Sequence, residues 1–342
     1  MKKILVIETG GTFATESVGG VRSLGAGKGI YAKPEILERV EKYNFEFEVI
    51  RPIFMLSEDM TYDTQNVILD ALNSIDYEKY EGVVFVHGTD TMAYSANLFS
   101  MLFANKGVPI VMIGANHPID MDISNGTINF ASAIDFIFDV GVQGLYVIYR
   151  NDYDEIEVHL GSRIEQMDQI IDGYFSFKNR VFGYMEDGKF IQNANSPELD
   201  EIQSKVNPYG SEFKIENPNV LKILPYVGLR YDTINLDGVD AIVHGTYHSG
   251  TVNTNSKESQ YSINTLIQRA GEENIPVFVG EVESGFDQYE SAEALEAADK
   301  FYTIYDTSME NLYMKVCLGL SKFEGEELVE YLNTDIFFEK FK

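Results

Sequence analysis

Thr12, Ser57, Thr89 and Asp90 are polar side chains placed where an apolar or alternating run gives way to a turn. Thr12 follows Ile4–Ile7 and the pair Gly10-Gly11, Ser57 follows the alternating segment 45–54, and Thr89-Asp90 follows Gly82–Val86, His87 and Gly88. A threonine becomes a nucleophile only when a neighbour takes its proton or its site stabilises the alkoxide. Adjacent glycines let main chain approach a ligand closely. Asp90 precedes a strongly apolar segment, 93–103, and reads as the N-cap of a helix, where free N–H groups can also hold an anion. In a parallel α/β sheet, ligands bind beyond the carboxyl ends of the strands. These turns therefore meet over one pocket suited to a small zwitterion, with its carboxylate on N–H and hydroxyl donors and its ammonium on Asp90. Taken singly, each feature also has a structural reading: a tight turn for the glycines, a helix cap for Asp90 and a satisfied core histidine for His87.

The elements that must hold these turns follow from periodicity. Apolar runs at 4–7, 82–86, 108–113 and 145–149 read as buried strands, and 45–54 alternates as a strand does. Helices are expected from Pro34 onward, over 67–75, over 93–103 and around 128–137. This alternation implies a parallel sheet covered on both faces. Segment 16–28, rich in Gly and Ser and carrying Arg22 and Lys28, reads as a loop at the pocket mouth. After Tyr149 the rhythm changes: 155–160 and 184–191 read as strands, with Asp187-Gly188 a hairpin turn. A second α/β unit follows, with strands near 220–224, 241–243, 277–279 and 301–304. Its helices are expected over 262–270, 292–298, 311–320 and 326–332. The domains expected are an N-terminal α/β catalytic domain over 1–195, a linker over 196–218 and a C-terminal α/β domain over 219–342.

Composition bounds the function. With 342 residues and 44% hydrophobic content the chain can build a substantial core. Its net charge of −28 argues against nucleic-acid and anionic-membrane partners. One cysteine, Cys317, precludes an internal disulfide, suits a reducing compartment and reads as helix core. The apolar run before Glu8 is too short for a signal peptide. A cytoplasmic protein is expected. His117, His159, His244 and His248 lack zinc-type spacing, and neither a phosphate loop nor a dinucleotide fingerprint is present. Val86-His87-Gly88-Thr89 recurs as Val243-His244-Gly245-Thr246, which suggests equivalent turns in the two domains.

Thr9-Gly10-Gly11-Thr12-Phe13-Ala14 together with His87-Gly88-Thr89-Asp90-Thr91-Met92 resembles the bacterial-type asparaginase/glutaminase family. Gly114-Ala115-Asn116-His117-Pro118 and Ser124-Asn125-Gly126 look like degenerate forms of that family's next loop. The resemblance implies a two-domain α/β fold, with a larger, mostly parallel N-terminal domain and a smaller C-terminal one. It implies hydrolysis of asparagine or a related amide without metal or cofactor, in a homodimer or homotetramer. By position, Thr12 looks like the nucleophile, Thr89 like the second catalytic hydroxyl, and Ser57 and Asp90 like the holders of the substrate's carboxylate and ammonium.

Several positions depart from the pattern. The family has a lysine that hydrogen-bonds the second threonine and the aspartate, whereas this chain has no lysine between Lys106 and Lys178. Aligning Asp172–Phe177 with the family segment places Asp168 at that position, with Arg163 nearby. The loop between Thr12 and Lys28 has no tyrosine, Tyr31 is the next one along, and Phe13 replaces a smaller aliphatic. Glu58, beside Ser57 in the substrate-binding turn, stands where a neutral residue is common. A cation is lost and carboxylates are gained, and crowded carboxylates raise one another's pKa. Three outcomes stay open: an asparaginase with rewired proton transfer through Arg22, Lys28 or Arg163, an amidase for a more cationic or uncharged substrate, and a protein that binds a small amino compound without turnover.

Overall fold

In the computed structural model the described residues are all but 19–20, 25–28, 169–170, 286–299 and 342, with the backbone alone described for 14–18, 21–24 and 256–258. Lys28, the side chain of Arg22 and the helix expected over 292–298 lie outside the described residues. The chain divides into two compact units, residues 1–212 with 336–338, and residues 213–335 with 339–342.

The first unit is built on an eight-stranded sheet. Its strands are β1 (Lys2–Glu8), β4 (Phe45–Ile50), β5 (Gly82–Val86), β6 (Pro109–Ile113), β7 (Gly144–Arg150), β8 (Ile156–Leu160), β11 (Gly183–Glu186) and β12 (Lys189–Gln192). Their order is β12-β11-β8-β7-β6-β5-β1-β4. The five strands from β7 to β4 run parallel, and β8, β11 and β12 join antiparallel. Ile4–Ile7 and every residue of β5 and β6 are buried, the pattern of a sheet covered on both faces. Helix α1 (Pro34–Tyr43) packs with α4 (Gly126–Asp139), and α2 (Tyr62–Asn73) with α3 (Met92–Phe103). Two short ribbons complete the unit: β2 (Thr15–Val18) pairs with β3 (Val21–Leu24) inside the expected mouth loop, and β9 (Ile164–Glu165) pairs with β10 (Phe175–Ser176). The Asp187-Gly188 turn has both φ angles positive, at 48° and 72°, as a tight hairpin requires. A short helix, α5 (Leu199–Ser204), follows; Gln143 Nε2 donates to Ile202, Gln203 and Lys205 carbonyls at 2.8–3.1 Å.

The second unit carries a parallel sheet, β13 (Val220–Ile223), β14 (Ala241–His244), β15 (Val277–Val282) and β16 (Phe301–Tyr305), in that order. Its helices are α6 (Ile263–Glu272), α7 (Met309–Gly319) and α8 (Gly325–Asn333), and Cys317 is fully buried on α7.

The repeated tetrapeptide takes one form in both units. His87 and His244 are fully buried at strand ends, and the ring of each donates from Nδ1 to the carbonyl of the glycine that follows, at 2.8 Å and 2.6 Å. Nε2 of His244 accepts from the Tyr231 hydroxyl at 3.1 Å. Burial pushes both imidazoles down to about 4, whereas in an unfolded chain they stay near about 6.5. Below that pH the unfolded state binds the extra protons. Stability is therefore lost as the pH falls from about 6.5 toward 4, by at most about 1.4 kcal/mol per unit for each ring. For His87→Asn, whose amide can reach the same carbonyl, the urea midpoint is expected to be lower at pH 7 but to decline less between pH 7 and pH 5 than in the unsubstituted protein. Parallel declines would mean that His87 does not control this slope.

Candidate active site

The turns after β1, β4 and β5 are held together by main chain. Thr9 N–H donates to Val86 O at 3.1 Å, Met55 N–H to Thr9 O at 3.0 Å, Gly11 N–H to Met55 O at 3.0 Å and His87 N–H to Ile113 O at 2.9 Å. The sheet's hydrogen bonding thus continues past the strands into the turns. Gly11, with φ +72°, lies directly against Gly88, and Gly88 lies against Ser57. Thr12 opens a 3-10 turn, Thr12–Ala14, at this junction and is half-buried. Phe13 is buried and stacks on Phe130 at 5.9 Å, so the larger ring at this position has its own apolar seat.

Ser57 is buried, and its hydroxyl donates to Asp90 Oδ2 at 3.4 Å. Thr91 Oγ1 donates to Ser57 O at 3.0 Å, coupling the two turns a second time. Thr89 is half-buried with its methyl against Gly114, while Asp90 and Glu58 are exposed. The expected helix cap is shifted: the N-cap of α3 is Thr91, without a side-chain cap bond. The Asp90 carboxylate meets Ser57 instead of capping the helix.

At the position expected to hold the family's lysine, the side chain that reaches Asp90 is that of Gln166. Its Nε2 donates to Asp90 O at 2.9 Å, and its Oε1 is buried with no hydrogen-bond partner among the described residues. Asp168, placed here by the sequence alignment, is exposed two residues further on. β9 is only two residues long, and Gln166, the residue that follows it, is the one whose side chain bonds the turn. Arg163 is buried and donates from Nε to Phe338 O. Tyr31 donates to Glu8 Oε1 at 2.6 Å, and Arg51 Nε donates to Glu8 Oε2 at 2.6 Å. Glu8 is buried at the end of β1, so Tyr31 anchors the segment that follows the mouth ribbon. Gln166 escaped sequence reasoning because a two-residue strand leaves no readable alternation.

The family model for the asparaginase N-terminal domain matches residues 3–197. The chain belongs to the asparaginase family. A glutamyl-tRNA(Gln) amidotransferase component from Methanococcus maripaludis is 26% identical over 258 residues, which are 70% of this chain and 59% of that protein. L-asparaginase 1 of Escherichia coli is 28% identical over 203 residues, 57% of this chain and 56% of the relative. The alignments thus span less than two thirds of either relative. L-asparaginase I from Vibrio cholerae superposes with a TM-score of 0.79 at 22% identity, covering 100% of this chain and 99% of that one. The fold is therefore the two-domain α/β arrangement of asparaginases. Among the described residues no helix is long and apolar enough to cross a membrane.

Proposed function

We propose that this asparaginase-family protein hydrolyses the side-chain amide of L-asparagine, or of a related small amide, to the acid and ammonia. The observation that carries this reading is the junction of three turns, with Gly11 packed on Gly88 and Ser57 Oγ 3.4 Å from Asp90 Oδ2. In it, Thr12 Oγ attacks the amide carbon, the C–N bond breaks and the nitrogen leaves as ammonia with the proton given up by Thr12. Water then cleaves the ester and restores the hydroxyl. Backbone N–H groups near Thr12, other than the Gly11 N–H that Met55 O takes, hold the oxyanion, a contribution of several kcal/mol in acyl transfer. Asp90 takes the substrate's ammonium, and Ser57 with the surrounding donors takes its carboxylate. Gln166 is a neutral amide that neither accepts a proton nor supplies charge, so proton transfer falls to the Thr89 hydroxyl and the Asp90 carboxylate. The test is ammonia release by the purified protein from L-asparagine and L-glutamine. Ligand-dependent thermal stabilisation without ammonia release would overturn it.

Gln166→Lys restores a cation beside Asp90. Its expected effect is a rise of about tenfold or more in kcat/KM for asparagine, equivalent to about 1.4 kcal/mol. An unchanged or lower value would mean that the proton route does not need this position.

Gln166 and the exposed Glu58 favour a second reading, in which the same fold takes a more cationic or uncharged amino compound, with or without turnover. The relatives named as amidotransferase components supply a further form of it: the amide nitrogen is passed to a partner protein. Self-association as a homodimer or homotetramer belongs to the first reading. Co-purification with a different polypeptide would favour the amidotransferase form.

A further inference from the structure

We propose that the β9–β10 ribbon is a strap that sets the orientation of the Thr89-Asp90 turn, with Tyr174 and Gln166 as its positioning residues. This rests on the threonine-hydrolase reading above. Two consecutive carbonyl oxygens of that turn each receive one side-chain donor: Thr89 O from the Tyr174 hydroxyl at 2.6 Å, and Asp90 O from Gln166 Nε2 at 2.9 Å. The donors come from opposite arms of the ribbon. Ile164 pairs with Ser176 and Glu165 with Phe175, so the next register position sets Gln166 across from Tyr174. A residue's carbonyl and its side chain share one set of backbone angles. Fixing both carbonyls therefore fixes the Cα–Cβ directions from which the Thr89 hydroxyl and the Asp90 carboxylate project, leaving only their rotamers to choose.

The strap is bolted to the helix that this turn begins. Asn97, buried on α3, donates from Nδ2 both to Ala93 O and to Ile164 O at 2.8 Å. Helix, ribbon and turn thus form a closed circuit through Asn97, Ile164, Gln166 and Asp90. Tyr174 is itself buried, with its ring edge-on to Tyr149 at 5.1 Å. The Tyr149 hydroxyl donates to Asp172 Oδ1 at 2.5 Å, and Ser176 Oγ meets His159 Nδ1 at 2.9 Å. Burial holds the Tyr174 phenol protonated well above its ordinary range, so it remains a donor throughout the working pH range. The cap of α3 lacks a side-chain bond, so the ribbon's two donors act beside the Ser57 contacts in orienting the turn.

The test compares Tyr174→Phe with Tyr146→Phe. Both remove one buried hydroxyl that donates to a carbonyl; that of Tyr146, on β7, goes to Gln143 O at 2.9 Å. Misplacing a catalytic group by about 1 Å costs on the order of a hundredfold in rate. Tyr174→Phe is expected to lower kcat by about tenfold or more with KM changed less than about threefold, and to speed amide exchange over residues 88–92. Tyr146→Phe is expected to keep kcat within about twofold. Retained kcat in Tyr174→Phe, or an equal loss in Tyr146→Phe, would overturn the strap. If the unsubstituted protein releases no ammonia, the hydrolase reading falls by itself. Amide exchange then decides the strap alone: unchanged exchange over 88–92 in Tyr174→Phe rejects it.

Discussion

Thr12→Ala is expected to lower ammonia release from asparagine by at least about a thousandfold while leaving the protein folded. Removing the nucleophile from a site whose groups act together costs nearly all of the chemical step. Thr12 is half-buried, and the main chain of its turn is held by the bond from Gly11 N–H to Met55 O. The thermal midpoint should therefore stay within about 3 °C of the unsubstituted value, the shift that about 1 kcal/mol gives in a domain of this size. Thr12→Ser keeps a hydroxyl and should retain measurable turnover. Full activity in Thr12→Ala would remove this residue from the mechanism and direct attention to Thr89.

The second large effect is expected at the glycine contact. A Cβ on Gly11 would come within 2.6 Å of Gly88 N, and one on Gly88 within 2.6 Å of Ser57 Cβ. Neither neighbour is the far end of a flexible side chain, so the turns must separate. Gly11 also holds φ +72°, which costs a residue with a Cβ roughly 1–2 kcal/mol. Overpacking adds about 1–3 kcal/mol. Gly11→Ala is thus expected to destabilise by about 2–5 kcal/mol and to lower the midpoint by about 10 °C. Gly88→Ala should cost less stability but abolish turnover, because its Cβ pushes on Ser57 beside Asp90. Thermal unfolding followed by circular dichroism, alongside the ammonia assay, measures both. A fully active Gly88→Ala would mean that the turns tolerate separation and that their contact is incidental.

The parts of this molecule legible in the sequence are those written in long patterns. Ile4–Ile7 and Gly82–Val86 are uninterrupted apolar runs of strand length, and their polar turns could be placed beyond the sheet without any coordinates. The Asp187-Gly188 hairpin and the repeated His-Gly-Thr turn were equally visible, because glycine or a small polar residue at a fixed offset has few structural meanings. What escaped was decided by short-range geometry. Asp90 and Thr91 are both acceptable caps by residue type, and in the fold the helix begins after Thr91 while the Asp90 carboxylate meets Ser57. Gln166 and Asp168 differ by a two-residue slip, which leaves the pattern of a two-residue strand unchanged. Tyr174 reads as an ordinary buried aromatic. Its hydroxyl acquires a purpose only when β9 and β10 pair and present it to Thr89 O.

The continuation of sheet hydrogen bonding into the turns has a consequence for how this site meets a ligand. The amides of Thr9, Gly11, Met55 and His87 are held as strand amides are. Such groups exchange with solvent chiefly when the whole cooperative unit opens. The floor beneath Thr12 should therefore belong to the slowest-exchanging part of the first unit, already ordered before anything binds. A ligand would add protection at the walls and mouth but almost none at the floor, and little of its interaction energy would be diverted into organising the surface on which it rests.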